Sequence, residues 1–405
     1  MASTIVAGEE VDGTASPSST TSPRRSRRNP RRSIRAHRWL GWGLGLWLVF
    51  EALTGSYLAL ADHIDVWTHG DRYRATAGDV GPAAAATAAA GAVEGTVAEV
   101  YFPGAADGVY QVQVRRMDGT DETAVYVDPG TGAVNAVVGP GRSIHTLVLE
   151  LHREFNRLTI LGFSAANIVG YLGLLWLAQL VVGYRASRPH RRGAKQAVQV
   201  RRSRGRFTFN LDVHKVLGLA LVVPLVAIVL TGVALELRPG ATAVIDAVTP
   251  GRIPDAATFT IPFSIPTGRE PRLGLDDVVA GLEAEGLGDL LVLEVPVGNP
   301  AGTFVALVDR GGPAPYQADL GGGLTVYVDQ YSGEVLARDG DRSTSFGEQL
   351  NDGWVPAIHF GYFGRLPTQV LWTVLGLLTV GLAVTAVNMR RAKWSKRRPD
   401  PQGAL

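Results

Sequence analysis

Four apolar runs mark the chain, at about 39–60, 163–184, 216–236 and 367–389, and two long mixed segments, about 62–157 and 238–366, separate them. A helix of about 22 residues rises roughly 33 Å, enough to cross a hydrocarbon core of about 30 Å. The first and third runs read alike: HRWLGWGLGLWLVFEALTGSYLAL from His37, and HKVLGLALVVPLVAIVLTGVALEL from His214. A shift of 177 positions lays His37 on His214, Leu40-Gly41 on Leu217-Gly218, and Leu53-Thr54-Gly55 on Leu230-Thr231-Gly232. Ala59-Leu60-Ala61 imitates a signal-peptide cleavage site. Signal cores are shorter, about 7–15 residues, and an internal copy cannot be one, so the first run reads as a retained helix.

In the mixed segments the period changes. An alanine-rich helix over about 82–90 precedes alternating runs at Val97–Phe102, Val109–Val114 and Thr123–Val127. A helix from about Gly274, with Asp276 or Asp277 near its start, precedes runs at Leu290–Val295 and Phe304–Val308. Each segment ends in a hairpin pattern, VYVDPGTGAV around Asp128 and VYVDQYSGEV around Asp329, in which Asp and Gly supply the turn. The chain therefore reads as a tandem duplication, with four membrane helices and two α+β modules on one side. Its parts are a basic arm at 1–35, expected to be disordered, a first membrane helix at 36–62, and a first module at 63–141. A second helix with an outer extension (142–186), a basic loop (187–210) and a third helix (211–238) follow. The second module (239–355), a fourth helix (356–390) and a tail (391–405) complete the chain.

Charge orients these parts. Of 39 Lys and Arg, 24 fall in 24–38, 185–206, position 215 and 390–398. The positive-inside rule puts both termini and the basic loop in the cytoplasm and the modules outside, with helices 1 and 3 parallel. The arm's arginines then belong to this membrane bias, and no nucleic-acid partner is expected. The absence of cysteine excludes disulfides, thiolate clusters and covalent c-type haem. No glycine-rich dinucleotide fingerprint follows a strand, so nicotinamide or flavin binding by this chain is not expected.

Histidine carries the candidate chemistry. His37 and His214 open the paired helices on the inner side; His152 and His359 precede helices 2 and 4 on the outer side. Across a pseudo-twofold axis each pair can face itself, and bundles build cofactor sites from facing side chains. Two imidazoles could hold zinc, but no carboxylate or thiolate stands at fixed spacing; b-type haem, which needs one histidine from each side, fits better. Arg38 and Lys215 inside, and Arg153 outside, are candidate propionate partners. His145, seven residues before His152 and so on the same helical face, is an alternate ligand, a substrate contact or a surface residue. His63 and His69 are weaker candidates, and His190 is expected in solvent. Glu51 lies within an apolar span, where a carboxyl is a candidate for proton or quinol chemistry or a bonded interior group. Tyr57, Trp67, Trp354 and Tyr362 read equally as interfacial belt or substrate contacts.

Over about 35–395 the motifs HRWLG…LTG, VYVDPGTGAV, LHREF, DVHKVLG…LTG, VYVDQYSGEV and IHFGYFG, in this order, resemble the PepSY-associated transmembrane proteins, often called iron-regulated membrane proteins. That resemblance implies PepSY modules outside the bacterial cytoplasmic membrane. It includes di-haem ferric-siderophore reductases, with His37, His152, His214 and His359 at the axial positions of two b-type haems. The implied acceptor is a ferric siderophore or other ferric chelate, and the implied donor a quinol or separate flavoprotein. A peptide-binding sensor or protease regulator, and an iron or siderophore permease, are the alternative readings. Where the family tends to close helices 2 and 4 with Thr-Gly and Trp before Arg, this chain has Val182-Gly183-Tyr184-Arg185 and Ala386-Val387-Asn388-Met389-Arg390.

Overall fold

Helix α1 (Pro30–Leu58) opens on proline, whose missing N–H costs nothing at a first helical position. Residues 30–35, expected in an unstructured arm, are therefore helical. The computed structural model describes residues 30–104, 107–116, 122–139, 143–154, 159–160, 163–187, 198–250, 260–266, 273–309, 323–339 and 345–395. His190 and most of the arm lie outside them. After α1 come α2 (Ala61–Thr68), α3 (Pro82–Ala92) and strands β1 (Thr96–Tyr101), β2 (Tyr110–Arg115), β3 (Glu122–Val127) and β4 (Val134–Val138). Helix α4 (Ile144–Glu154), a small hairpin of β5 (Thr159–Ile160) and β6 (Phe163–Ser164), then α5 (Ala165–Ser187) follow. Next are α6 (Gly205–Glu236), α7 (Arg238–Val248), α8 (Leu275–Ala284) and strands β7 (Asp289–Glu294), β8 (Thr303–Asp309), β9 (Gly323–Asp329) and β10 (Val335–Asp339). Helices α9 (Val355–Phe360) and α10 (Arg365–Ser395) end the described chain.

Among the described residues, three helical spans are long and apolar enough to cross a membrane, and a fourth is made by α1 with α2, bent by 54°. Their outward faces carry leucine and valine: Leu46 is 85% exposed and Val223 75%. Apolar surface on that scale belongs against lipid rather than water. Inside, α6 and α10 pack through Leu221, Leu225 and Leu375. The Ser56 hydroxyl donates to the Thr373 carbonyl (3.3 Å), and Thr373 donates back to the Ser56 carbonyl (3.1 Å). Gly376, in van der Waals reach of Ser56, has no room for a Cβ. Small residues bring α1 and α10 this close, as membrane helices require where no hydrophobic effect drives them together. At the far end Arg390 lies over Trp42 (4.8 Å) and Lys393 over Phe207 (4.8 Å), cations and aromatics suited to a membrane rim.

The strands form one antiparallel sheet of eight, in the order β10-β9-β8-β7-β1-β2-β3-β4. Alternation in each strand sends Val100, Val112, Val125, Leu293, Ala306 and Val326 to one face, where α3 and α8 cover them. The two four-stranded halves join through β1 and β7, with Glu99 opposite Glu294, Val100 opposite Leu293 and Tyr101 opposite Val292. Asp276 ties the covering helices, accepting the Ala83 N–H at the start of α3 (2.9 Å). The two predicted hairpin turns are wired alike. Gly132 donates to the Asp128 carbonyl (2.9 Å) and Gly333 to the Asp329 carbonyl (3.0 Å). Both glycines hold φ above 70°, a conformation that side chains with a Cβ resist.

Two expectations change. The outer extension of the second membrane helix is a helix of its own, α4, separated from α5 by the β5–β6 hairpin. His359 likewise sits on the separate helix α9, ended by Gly361 in a left-handed conformation (φ 77°) before α10 begins. Each outer histidine thus rides on a short helix that can be aimed independently of the span behind it.

Candidate functional site

The four histidines gather into two pairs. His37 and His214 have ring centres 6.1 Å apart; His152 and His359 have ring centres 6.4 Å apart. The pairs stand at opposite ends of the bundle. His152 touches Thr54, 17 residues beyond His37, a rise of about 25 Å along one helix.

Each ring rests on a helix that does not carry its partner. His152 Nδ1 lies 2.8 Å from the Thr54 hydroxyl and 3.0 Å from Glu51 Oε2, both on α1. His359 Nδ1 lies 3.0 Å from the Ile228 carbonyl and 3.4 Å from the Thr231 hydroxyl, both on α6. His214 Nδ1 lies 3.0 Å from the Leu382 carbonyl and 2.9 Å from the Thr385 hydroxyl on α10. Carbonyl oxygens only accept, so Nδ1 of His214 and of His359 carries the proton. Thr54 spends its own hydroxyl proton on the Phe50 carbonyl (2.9 Å), which leaves it an acceptor for His152 as well. In all three rings Nε2 is left with its lone pair, the form in which imidazole binds a metal.

Glycine makes these seats possible. A Cβ at Gly55 would stand 3.2 Å from His152 Cε1, one at Gly232 2.7 Å from His359 Cε1, and one at Gly183 2.8 Å from His37 Cε1. The repeated Leu-Thr-Gly is thereby explained: threonine orients the outer imidazole and glycine lets it approach the helix. His37 departs from the pattern, because its Nδ1 is buried with no hydrogen-bond partner. Gln179 holds the backbone there instead, donating to the His37 carbonyl (3.0 Å).

A cavity of about 2320 Å³ runs from the uncovered sheet face past the outer pair and in among the helices, as far as Trp47, Trp176 and Leu225. Tyr101, Gln111, Gln113 and Tyr126 face it from the sheet; Glu51, His152 and His359 reach it from the helices. His145 lines it too, exposed and apart from the ring pair. So do His63, bonded to Gln369 (3.0 Å), and His69, 3.0 Å from Asp65. Burial pushes the Asp107 carboxyl in this wall up, and the Asp62 charge adds to the effect. Arg153 reaches Glu236 (3.6 Å), Lys215 is half-buried beside His214, and Arg38 is exposed. Tyr57 and Tyr362 belong to the cavity wall, whereas Trp67 is 85% exposed on α2.

Two imidazoles on opposite sides of one metal, with bonds of about 2.0 Å and about 1.2 Å from nitrogen to ring centre, have centres about 6.4 Å apart, against about 5.2 Å at a tetrahedral angle. Both pairs match that spacing. Among the described residues no group of three or more His, Asp or Glu is placed to hold a metal ion. What each pair offers is two imidazoles, which would suit a macrocycle that brings the other four ligands. The orphaned nitrogen of His37 and the glycines cleared around three of the rings fit such a group. Sequence reading missed the seats of the inner pair (Gln179, Gly183, Thr385), which lie outside the repeated Leu-Thr-Gly, and it missed the cavity.

Comparison with protein families matches residues 34–393 to the PepSY-associated TM region. No curated protein matches the chain.

Proposed function

Since the chain belongs to the PepSY-associated TM region family, we propose that it is a transmembrane di-haem b electron-transfer protein that reduces ferric chelates. The ferric siderophores are the substrate class, and iron acquisition is the purpose. The observation that carries the reading is the two histidine pairs, each at the spacing of two rings on one iron, at opposite ends of a membrane bundle. His37 with His214, and His152 with His359, would hold the haems. When bound, haem supplies a one-electron couple whose potential the protein tunes through ligands, hydrogen bonds and burial.

The chain's own residues do the rest. Thr54, Thr231 and Thr385 fix ring orientation and tautomer, so little is left to arrange when a ligand site is filled. The cavity bounded by the outer pair and the sheet is large enough for a drug-sized chelate. Its mixed wall of tyrosine, glutamine, acid and arginine suits an oxygen-rich ligand.

The bias of basic residues supports a bacterial cytoplasmic membrane location with both termini inside and the sheet outside. The tandem repeat belongs to the same reading: Val100 and Leu293 meet at the sheet junction, and the paired histidines come from corresponding positions. Electrons would be drawn from a membrane quinol or a separate flavoprotein.

An absorption spectrum of the detergent-purified protein tests the reading. A strong Soret band, with a b-type α band on reduction, is expected. A colourless protein overturns it in favour of a PepSY-type sensor or a permease component. Substitution then tests the pairing: His37→Ala and His214→Ala each lose the same half of the haem, and His152→Ala and His359→Ala lose the other half. The double variant His37→Ala/His214→Ala is no worse than either single one. Loss of the same haem from His37→Ala and His152→Ala refutes the pairing.

A further inference from the structure

Three of the ring nitrogens meet acceptors, and one of those acceptors differs in kind. His359 Nδ1 gives its proton to a backbone carbonyl, Ile228, and His214 gives its own to Leu382. His152 alone meets a carboxylate, Glu51 Oε2 at 3.0 Å. The 177-residue shift that lays Thr54 on Thr231 lays Glu51 on Ile228. One half of the outer site therefore carries a carboxyl side chain where the other uses its own backbone. The threonine hydroxyls do not distinguish the halves, since both rings have one.

Packing alone does not account for Glu51. A carboxyl in the apolar span of α1 is costly, and its second oxygen, Oε1, is buried with no hydrogen-bond partner. What the carboxylate can do is act through the ring. Accepting the Nδ1–H raises the basicity of the imidazole at Nε2, and a more basic axial ligand favours the ferric over the ferrous state.

We propose, resting on the di-haem reading, that Glu51 is a positioning residue that holds the outer haem at a lower potential than the inner one. It does so by strengthening His152 as a ligand. The haem next to the cavity is then the stronger reductant of the two, which suits an acceptor bound as a tight ferric chelate.

Redox titration of the purified holoprotein, followed by its α bands, tests this. Wild type titrates in two one-electron steps, and His152→Ala identifies the lower one as the outer haem. Glu51→Gln keeps the size and an acceptor oxygen but cannot ionise. It is expected to raise that step by at least tenfold in the reduction equilibrium, about 59 mV for one electron, with haem content and the other step unchanged. Glu51→Asp, which keeps the carboxylate, recovers most of the shift. Two unmoved steps overturn the proposal, as does movement of the step that His37→Ala removes. Loss of the outer haem from both Glu51 variants makes the residue a structural requirement and overturns it equally. A protein without haem refutes the di-haem reading itself, whereas two haems and a silent Glu51→Gln refute the tuning role alone.

Discussion

A single hydrogen decides whether an outer histidine can lie on its seat. Gly232→Ala sets a methyl 2.7 Å from His359 Cε1, and Gly55→Ala sets one 3.2 Å from His152 Cε1. The obstructed atoms belong to rings held by hydrogen bonds, so they cannot swing aside as a flexible chain would. Overpacking of this kind costs about 1–3 kcal/mol. Gly232→Ala is expected to lower haem content and thermal stability, and Gly55→Ala to do so less; the reverse order, measured by pyridine haemochrome and thermal unfolding, contradicts the geometry. At this scale the residue types were visible in the chain. The repeated Leu-Thr-Gly and the four histidines stand out without any fold. That the glycine of one helix serves the histidine of the next was not visible, because a linear pattern does not say which helices are neighbours. Glu51 is the clearest case: its cost in an apolar run was legible, and its contact with His152, about a hundred residues away, was not.

The elements themselves followed the pattern closely. Alternation located the strands to within a residue or two, and the Asp-Gly turns were placed correctly, since both signals are local. Asp128 illustrates why that turn is sturdy. The Thr131 hydroxyl, then the Thr76 hydroxyl and N–H, hold its carboxyl well below the usual carboxylate range. A depressed value means that the ionised form is favoured by folding. This contribution is fully present above the unfolded value of about 3.9 and is lost as pH falls through the lower folded value. Asp128→Asn should therefore lower the melting temperature at pH 6, with the gap to wild type closing below about pH 4. A gap independent of pH removes the ionic explanation. The breaks that free α4 and α9 from the spans behind them were not legible. Hydropathy reports whether a segment is buried or wet, and a short amphipathic helix at the membrane edge satisfies it as well as an extension does.

Orientation belongs to the molecule as a whole, because only the sum of basic residues over all the loops determines it. A reporter active only in the cytoplasm, fused after Ser395, should be active, and one inserted at Gly104 or in the turn at Gly298 should be silent. Activity at Gly104 inverts the proposed direction of electron flow. The union of both modules in one sheet was beyond the sequence, since it rests on register between strands that lie half a chain apart.

That union has a consequence for how the protein is made. Strand β1 has an edge that stays open until Leu293 arrives, 193 positions after the Val100 it pairs with. Through synthesis of the first half, that edge is a template for any other strand. The antiparallel register is centred on Val100 and Leu293, each the fifth residue of its strand, so another nascent first half offers a similar apolar partner. The join between the modules is in effect a dimer interface made intramolecular, and the tether defeats the rival pairing by local concentration. A chain cut between α5 and α6 loses that advantage: its first half alone should accumulate as a homodimer through β1, and co-expression of the second half should dissolve it into the native pair.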